Sequence, residues 1–377
     1  QNNNISKETI TDTTVMYKGS VWETDAGLGY STVSVYKNKL LTAGYSKKDG
    51  KDFIYCLNAV TGAKIWTYSY KSEYGRRYHG TRSTPVTDGK HVYQLSRTGL
   101  LICLDLKSSN LLWQVDVTKK YNAKSPRWGF SSTPVLKDDI VMINAGKYGM
   151  AFNKFTGKPV WPNKGGKGNY SSVKPFEYKN KKYAAVASEE NFYILNWKTG
   201  YPITSTPWKT RRDIVGIDPV INKNGSLIFL SSAYSDGRGA LYKFNGETLI
   251  KLWENKNMCS HFTTPILIEG KKNGTGTLYG VDGNAGRGRF VAIDYKTGKR
   301  KYKSKLRFGS FIMADDKFIY NTERGKLVLI KPNPDKYIQI NSGRVLKGGK
   351  LWNIPVLANG YIYCKSSSGK LICLKAK

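Results

Sequence analysis

The chain repeats a short pattern of apolar and polar positions that is typical of β-strands. Each copy begins with a small polar residue, often followed by Pro, and continues through an apolar strand and a turn to a second strand of the V-Y type. A glycine-bearing loop, a third strand, a T-G turn and an aromatic residue complete the unit. Short apolar runs bounded by Gly, Pro, Asn and Asp indicate strands rather than helices. The pattern therefore predicts an all-β protein.

This unit occurs eight times along the chain, at intervals of roughly 35 to 50 residues. Its copies begin at Ser31, Ser83, Ser132, Ser171, Asp218, Thr263, Gly309 and Ile354. A repeat of this length, with four short strands, is the sequence signature of one propeller blade. We therefore predict an eight-bladed β-propeller built of four-stranded antiparallel blades.

The last repeat is incomplete, because the chain stops at LICLKAK without a fourth strand. Near the other end, GSVWETD (19–25) has the features of an outer strand with its tryptophan, Trp22, and belongs to no repeat of its own. Pairing the two segments completes the eighth blade and leaves no open sheet edge. We predict a polar tail (1–18) and one propeller domain (19–377), with 19–25 completing the last blade.

The composition indicates a basic protein, and a first residue of Gln instead of Met suggests processing such as the removal of a secretion signal. The formal net charge is +34, and a field of that sign attracts polyanions such as nucleic acid, acidic polysaccharide or an anionic membrane. A lysine-rich proteome produces the same excess, so the total charge does not choose among these partners. No run of 18 apolar residues is present, and the chain begins with Gln and a polar segment. We expect an exported monomer, periplasmic or associated with the cell surface.

The phrase C-L-D/N-x-x-T-G-x-x-x-W resembles the PQQ-like repeat of quinoprotein dehydrogenases and of the BamB-type outer-membrane assembly lipoprotein. The likeness covers about 19–377, and RWGFSSTP (127–134) and LWNIPVLANGYIYC (351–364) are similar to exported bacterial propellers of this family. The resemblance implies the propeller fold. Quinoprotein dehydrogenases also carry a vicinal Cys-Cys pair and Glu, Asn and Asp ligands for calcium. This chain has no Cys-Cys pair, so we expect no cofactor and no metal, with a PQQ-dependent dehydrogenase as an alternative.

Arginine is unevenly distributed between the two faces of the predicted ring. Connections between blades share one face with the loops between second and third strands, which we call the mouth face, and the T-G turns lie on the opposite turn face. By this rule 12 of the 14 arginines lie on the mouth face, and Arg300 and Arg344 do not. Guanidinium groups bind carboxylate, sulfate and phosphate through paired hydrogen bonds. The distribution predicts an anion-binding face.

Aromatic residues accompany these arginines in the connections between blades. Rings that stack on apolar sugar faces, next to guanidinium groups that meet acid groups, suit an acidic or sulfated polysaccharide, and they also suit single-stranded nucleic acid. Any single ring has the alternative role of a plug between blades. Asp218 replaces the usual Ser or Thr of its repeat and is either an acid/base group or an ion-pair partner of Arg211 and Arg212. The candidate ligand-binding residues are Arg76, Arg77, Arg127, Trp128, Arg211, Arg212, Asp218, His261, Arg307 and Trp352.

One connection also contains the residue types of an acidic-glycan lyase. Tyr78, His79 and Arg82 would neutralise a uronate carboxylate and move the protons of an elimination reaction. Tyrosine, histidine and arginine are common in loops, so these are candidate catalytic residues only if the protein is an enzyme. The sequence thus favours a propeller that binds an anionic ligand or a protein partner on its mouth face. A lyase or hydrolase of acidic glycan is the main alternative.

Overall fold

The computed structural model describes residues 4–14, 19–75, 77–161, 165–234 and 236–376. Within these ranges the chain forms eight antiparallel sheets, seven of them containing a four-strand blade, which confirms the predicted eight-bladed propeller. One helix is described, α1 (Val117–Tyr121), between the second and third blades. No helix in the described part has the length and apolar character needed to cross a bilayer.

Two short strands, β1 (Ile5–Ser6) and β2 (Trp22–Asp25), precede the first complete blade. Blade 1 contains β3 (Ser34–Tyr36), β4 (Lys39–Ser46), β5 (Lys51–Asn58) and β6 (Lys64–Lys71). Blade 2 contains β7 (Val86–Thr87), β8 (His91–Leu95), β9 (Leu100–Asp105) and β10 (Leu111–Asp116). After β11 (Ala123–Lys124), blade 3 contains β12 (Val135–Lys137), β13 (Ile140–Ile143) and β14 (Met150–Asn153). After β15 (Gly166–Lys167), blade 4 contains β16 (Lys174–Tyr178), β17 (Lys181–Ala187), β18 (Asn191–Asn196) and β19 (Pro202–Pro207).

The second half of the ring repeats the same order of strands. Blade 5 contains β20 (Val220–Ile221), β21 (Leu227–Ser232), β22 (Arg238–Phe244) and β23 (Leu249–Asn255). Blade 6 contains β24 (Ile266–Glu269), β25 (Gly276–Asp282), β26 (Arg289–Asp294) and β27 (Arg300–Arg307). Blade 7 contains β28 (Gly309–Ala314), β29 (Lys317–Thr322), β30 (Lys326–Lys331) and β31 (Ile338–Arg344). Blade 8 contains β32 (Val356–Ala358), β33 (Tyr361–Lys365) and β34 (Lys370–Lys375).

The N-terminal strand closes the ring as predicted. Strand β2 pairs antiparallel with β34, with Trp22 opposite Cys373, and so supplies the fourth strand of blade 8. The backbone N–H of Val21 extends this ladder by donating to the carbonyl of Cys373 (2.8 Å). Because β2 and β34 share one sheet, the ring opens only if these backbone hydrogen bonds break.

The segment before β2 also contacts the propeller. Strand β1 pairs in parallel with β28, the first strand of blade 7, and Ile10 is buried among residues of blades 7 and 8. The carboxylate of Glu8 accepts hydrogen bonds from the backbone N–H groups of Asn359 and Gly360, both at 2.7 Å. The division into a tail (1–18) and a propeller domain (19–377) stays a prediction, although part of the tail lies against two blades.

The repeated tryptophans join each blade to the next one. The indole N–H of Trp22 donates to the carbonyl of Ala59 (3.1 Å), and that of Trp66 donates to the carbonyl of Leu106 (3.0 Å). Four of the rings, those of Trp22, Trp113, Trp161 and Trp253, also lie on the T-G turn of the next blade, and a Cβ on Gly62 would be 2.6 Å from the Trp22 ring. Gly62 has a positive φ as well, so both its conformation and its neighbour require glycine. The T-G and Trp positions of the repeat therefore form one packing unit between blades.

Blade 3 departs from the predicted four strands. Its sheet has three strands, and the position of the fourth is taken by a single bridge between Phe152 and Pro159. Proline has no N–H to donate to a ladder, which limits regular pairing here. Next to this blade, β11 and β15 form a separate two-stranded parallel sheet.

Candidate functional site

A cavity of about 550 Å³ lies on the mouth face, where the connections between blades meet. Aromatic side chains contribute much of its wall, and hydroxyl groups at the starts of the inner strands contribute its floor. The aromatic lining residues are Tyr30, Tyr78, Trp128, Tyr170, Tyr234, His261, Phe262 and Trp352. These residues come from connections that are far apart in the sequence, so the closed ring is what brings them together.

The rings of the wall contact one another in a continuous cluster. Trp352 is central to it, since its ring stacks on Tyr30 (centroids 5.2 Å apart) and is tilted against Phe262 (5.0 Å). Tyr78 links Trp352 (5.5 Å) to Trp128 (5.5 Å), which it meets edge to face. The indole N–H of Trp352 donates to the carboxylate of Glu323 (2.7 Å), and this hydrogen bond fixes the orientation of the indole. The cluster is therefore a preformed aromatic surface rather than a set of independent plugs.

The floor is a ring of hydrogen bonds between neighbouring blades. The N–H of Thr32 donates to the hydroxyl of Thr84 (3.0 Å), and the N–H of Thr84 donates to the hydroxyl of Thr133 (3.4 Å). Asp218 occupies the equivalent position in blade 5 and accepts a hydrogen bond from the N–H of Ser172 (2.7 Å). Small polar residues at the starts of these repeats thus connect each of their blades to an adjacent one.

Asp218 has Lys174 as its charged neighbour, rather than the arginines considered from the sequence. Burial raises the pKa of Asp218, and the nearby Lys174 offsets part of that rise. Burial lowers the pKa of Lys174 in turn, and Asp218 opposes this effect. Arg211 and Arg212 are exposed in the connection before blade 5, where the backbone N–H of Arg211 donates to the carboxylate of Asp236. Asp218 therefore belongs to the floor of the ring.

Arg82 is the arginine that lines the cavity. Its guanidinium donates to the carbonyl of Tyr78 (2.9 Å) and lies over the ring of Tyr30 (5.7 Å), while its buried Nε has no hydrogen-bond partner in the described structure. Burial lowers the pKa of Arg82 to about 10, and the neighbouring Arg97 adds to this shift. The described residues supply no ion-pair partner for it. The cavity thus contains a partly desolvated cation with donors that the protein itself does not use.

The three candidate catalytic residues do not all line the cavity. Tyr78 and Arg82 line the cavity, but the ring of His79 stacks on Tyr74 (centroids 3.7 Å apart). Nδ1 of His79 donates to the carbonyl of Gly75 (2.7 Å), which fixes this position. His79 therefore supports the loop that carries Tyr78, and the structure brings together only two members of the lyase triad.

His261 is the histidine that lines the cavity. It is 7% exposed, its ring lies against Phe262 (3.6 Å) and Tyr234 (5.0 Å), and its Nδ1 has no hydrogen-bond partner within the described ranges. Burial lowers the pKa of His261 to about 3, so the imidazole is neutral at physiological pH. It therefore offers the cavity a neutral polar ring rather than a positive charge.

The remaining candidates are distributed around the cavity rather than inside it. Trp128 and Trp352 line it, and Arg127 lies over the Trp128 ring (5.3 Å). Arg77 and Arg307 are exposed on the mouth face outside the cavity wall. Arg76 lies outside the described residues.

Some of the mouth-face arginines hold loops. Arg97 donates to the carbonyls of Arg77 (3.3 Å) and Tyr78 (3.0 Å), and Arg238 lies over Trp208 (4.3 Å). Arg344 is the last residue of an outer strand, so it too lies at the mouth-face end of its blade, contrary to the sequence assignment. The excess of arginine on this face therefore includes structural contacts as well as exposed groups.

Sequence reasoning did not identify Lys350 and Glu323. The Lys350 ammonium lies over the rings of Trp352 (4.6 Å) and Tyr78 (5.8 Å), so the cavity has a second cation. Glu323 accepts from Trp352 and is the one carboxylate among the lining residues in the described part of the chain. Lys350 could have been found from the sequence, because it lies two residues before Trp352. Glu323 comes from a loop of another blade, so no sequence signal links it to Trp352.

Comparisons with known proteins agree with this architecture. Residues 50–304 match the family model described as the outer membrane protein assembly factor BamB. The crystal structure of BamB from Moraxella catarrhalis is similar with a TM-score of 0.64 and 12% identity, covering 95% of this chain and 99% of that one. A quinohemoprotein alcohol dehydrogenase from Pseudomonas putida has a TM-score of 0.62 and 13% identity, covering 99% of this chain and 78% of that one. The designed protein Ika8 has a TM-score of 0.59 and 11% identity, covering 95% and 100%. At these identities the structures show a shared fold alone, and none of the curated proteins compared with the chain matches it.

Proposed function

The chain belongs to the PQQ-like β-propeller family described as the outer membrane protein assembly factor BamB, and we propose that its mouth cavity binds an acidic or sulfated saccharide. The observation that carries this proposal is Arg82, a partly desolvated guanidinium without an ion-pair partner in the described structure. A buried cation is costly unless a counter-charge compensates it, and a carboxylate or sulfate of a ligand would supply that charge.

The aromatic wall supports a sugar as the body of the ligand. The stacked rings of Tyr30 and Trp352 and the edge of Tyr78 offer apolar surfaces that suit the apolar faces of a pyranose. The hydroxyls of Thr32, Thr84 and Thr133 at the floor add small polar groups of the kind that fix orientation in ligand sites. Lys350 contributes a second positive charge near the same rings.

The proposal includes no resident quinone. PQQ in the dehydrogenases that the repeat resembles is held with calcium, and calcium takes six to eight oxygen ligands with several carboxylates among them. The cavity wall contains one carboxylate, Glu323, which already accepts from Trp352. The described residues contain no group of three or more His, Cys, Asp and Glu side chains placed to hold a metal. This shortage of carboxylates supports a proposal without a calcium–quinone pair.

Titration calorimetry with uronate and sulfated oligosaccharides tests the proposal. We expect binding to acidic oligosaccharides, little binding to neutral oligosaccharides of the same length, and a loss of about tenfold or more in Arg82→Gln, because a charge-assisted hydrogen bond to a desolvated group is removed. Arg344→Gln, which removes the same charge at an exposed position outside the cavity, is the matched control. Equal loss in both variants would mean that net charge, not the cavity, binds the ligand.

A lyase activity of the same site has a separate readout. Elimination from a uronate leaves an unsaturated product that absorbs in the ultraviolet, so the binding experiments can be followed by absorbance. Since His79 is turned towards Tyr74, Tyr78 is the side chain of the predicted triad that would act as the base. If the wild type produces the absorbance change and Tyr78→Phe binds the oligosaccharide without producing it, the protein is a lyase that uses Tyr78. If the wild type binds the oligosaccharide without any absorbance change, the protein is a binding protein.

We also propose that the protein is exported, as the sequence led us to expect and as the name of its family model supports. Fractionation of the native host tests this proposal. Recovery from the periplasm or cell envelope supports it, and recovery from the cytoplasm contradicts it.

A further inference from the structure

Exposed apolar side chains concentrate at the turn face of the propeller, opposite the cavity. In the described part of the chain most of them lie in the turns of that face or in the first half of the outer strands, which begin there, and Ile5 of β1 is an exception. Blades 1 to 5 contribute Tyr36, Val60, Ile65, Leu111, Leu112, Phe155, Val160, Tyr201, Ile203, Ile250 and Leu252. Tyr78 is the large apolar side chain of comparable exposure on the mouth face. The apolar residues therefore form an arc along one rim of the ring.

The turns between third and fourth strands show how this rim is built. In each of four blades an Asn or Asp begins the turn and accepts hydrogen bonds from the N–H groups two and three residues later. The residue two positions after that Asn or Asp is exposed. It is Val60, Lys107, Phe155 and Lys198 in blades 1 to 4. Apolar and positively charged turn residues thus alternate across blades 1 to 4, whereas the equivalent residue of blade 5, in the turn that begins at Asn245, is the exposed Glu247.

Four lysines of this rim are available to bind an anionic partner. A groove of about 770 Å³ between blades 1 and 2 is lined by Lys37, Lys39, Lys90 and Lys107, together with Tyr36. No ion pair is formed by these four lysines within the described ranges. The carboxylate of Asp105 in the same groove accepts from the backbone N–H groups of Lys107 (2.9 Å) and Ser108 (2.7 Å). The Asp105 carboxylate therefore already accepts hydrogen bonds within its own turn and forms no ion pair with these lysines in the described structure.

We infer that the turn face of blades 1 to 4 docks on an anionic lipid surface. Protein interfaces exclude lysine from their cores, whereas this rim places single apolar side chains between lysines. Surfaces that lie on membranes combine these two features, because the apolar groups enter the headgroup region while the ammonium groups stay at the phosphates. A second copy of the chain would bring like charges together. This inference is independent of the saccharide site, which would face away from the membrane.

Co-sedimentation with vesicles tests the inference. The full chain is mixed with vesicles of phosphatidylcholine alone or with phosphatidylglycerol added at roughly a third of the lipid. We expect binding to the anionic vesicles that weakens as salt rises and little binding to the neutral ones. Phe155→Ser with Tyr201→Ser should weaken the partition coefficient by about tenfold or more, since two half-exposed rings no longer enter the lipid.

Charge variants separate this rim from general electrostatics. Lys107→Glu should weaken binding to anionic vesicles, and Lys347→Glu, which makes the same change of charge at an exposed lysine of the mouth face, should weaken it much less. No binding to anionic vesicles at low salt, or equal loss in the mouth-face variant, overturns the inference. A concentration-dependent dimer that Phe155→Ser with Tyr201→Ser abolishes also overturns it, because the rim would then serve self-association. Saccharide binding should be unchanged in all rim variants that keep the wild-type thermal transition.

Discussion

Lys365 provides a stability test that the structure makes quantitative. It ends β33 in the blade that closes the ring, is 1% exposed, and its Nζ has no hydrogen-bond partner in the described structure. Burial lowers the pKa of Lys365 from an ordinary value of 10.5 to about 7, and Asp25 opposes this shift only in part. The folded protein therefore binds fewer protons than the unfolded chain between these two pH values. Stability must rise with pH across the same window.

The magnitude follows from the size of the pKa shift. At about 1.4 kcal/mol for each pH unit, a pKa lowered from 10.5 to about 7 corresponds to about 5 kcal/mol of unfolding free energy. A domain of this size has an unfolding entropy of about 0.8 kcal/mol per degree, so the thermal midpoint should change by about 6 °C across the window. Lys365→Met keeps the side-chain volume and removes the amine. We expect this variant to be more stable than the wild type at pH 7 by about 2 to 4 kcal/mol and to lose most of the rise between pH 7 and 10.

The assay is the thermal midpoint of both proteins, followed by circular dichroism at intervals from pH 6 to 10. Lys347→Met, which removes an exposed amine, is the control and should keep the wild-type profile. Parallel profiles for the wild type and Lys365→Met would contradict this prediction. A lower midpoint for Lys365→Met at every pH would refute it as well, because the buried amine would then contribute stability.

The other predictions concern ring closure, a buried acid and the loop under the cavity. Trp22→Ala should lower the unfolding free energy by about 3 to 5 kcal/mol, measured by thermal denaturation, because it empties the contact between blades 8 and 1. Burial raises the pKa of Asp52 from 3.8 to about 6, so stability should fall as pH rises from about 4 to 6, and Asp52→Asn should flatten that profile. Arg97→Met should weaken acidic-saccharide binding severalfold while Tyr78 and Arg82 are kept, because its hydrogen bonds hold the loop that carries them; unchanged calorimetric affinity would contradict this.

The repeat made much of the fold predictable from the sequence. A unit of four strands recurs eight times, and the missing strand of the last unit has a counterpart in Trp22 and its neighbours, so pattern alone determines the closed ring. The departures have local causes. Pro159 interrupts the fourth strand of blade 3, and the pairing of Ile5 with Met313 depends on an exposed edge that no periodic signal marks.

The sequence predicted which loops form the site but not the direction of each side chain. Connections between blades meet at the mouth face, so Tyr78, Arg82 and Trp352 were expected near one another, and they are. The direction of each side chain depends on contacts made by distant segments. His79 turns to Tyr74 and away from the cavity, and Glu323 reaches Trp352 from another blade. Neither arrangement leaves a periodic or compositional signal in the sequence.

A structure of the protein with a bound uronate oligosaccharide is the most direct test of the proposed site. We expect one sugar ring stacked against Trp352 or Tyr30 in the mouth cavity, with its carboxylate within hydrogen-bonding distance of the Arg82 guanidinium. An oligosaccharide bound only to the exposed arginines outside the cavity, or on the turn face, would contradict it.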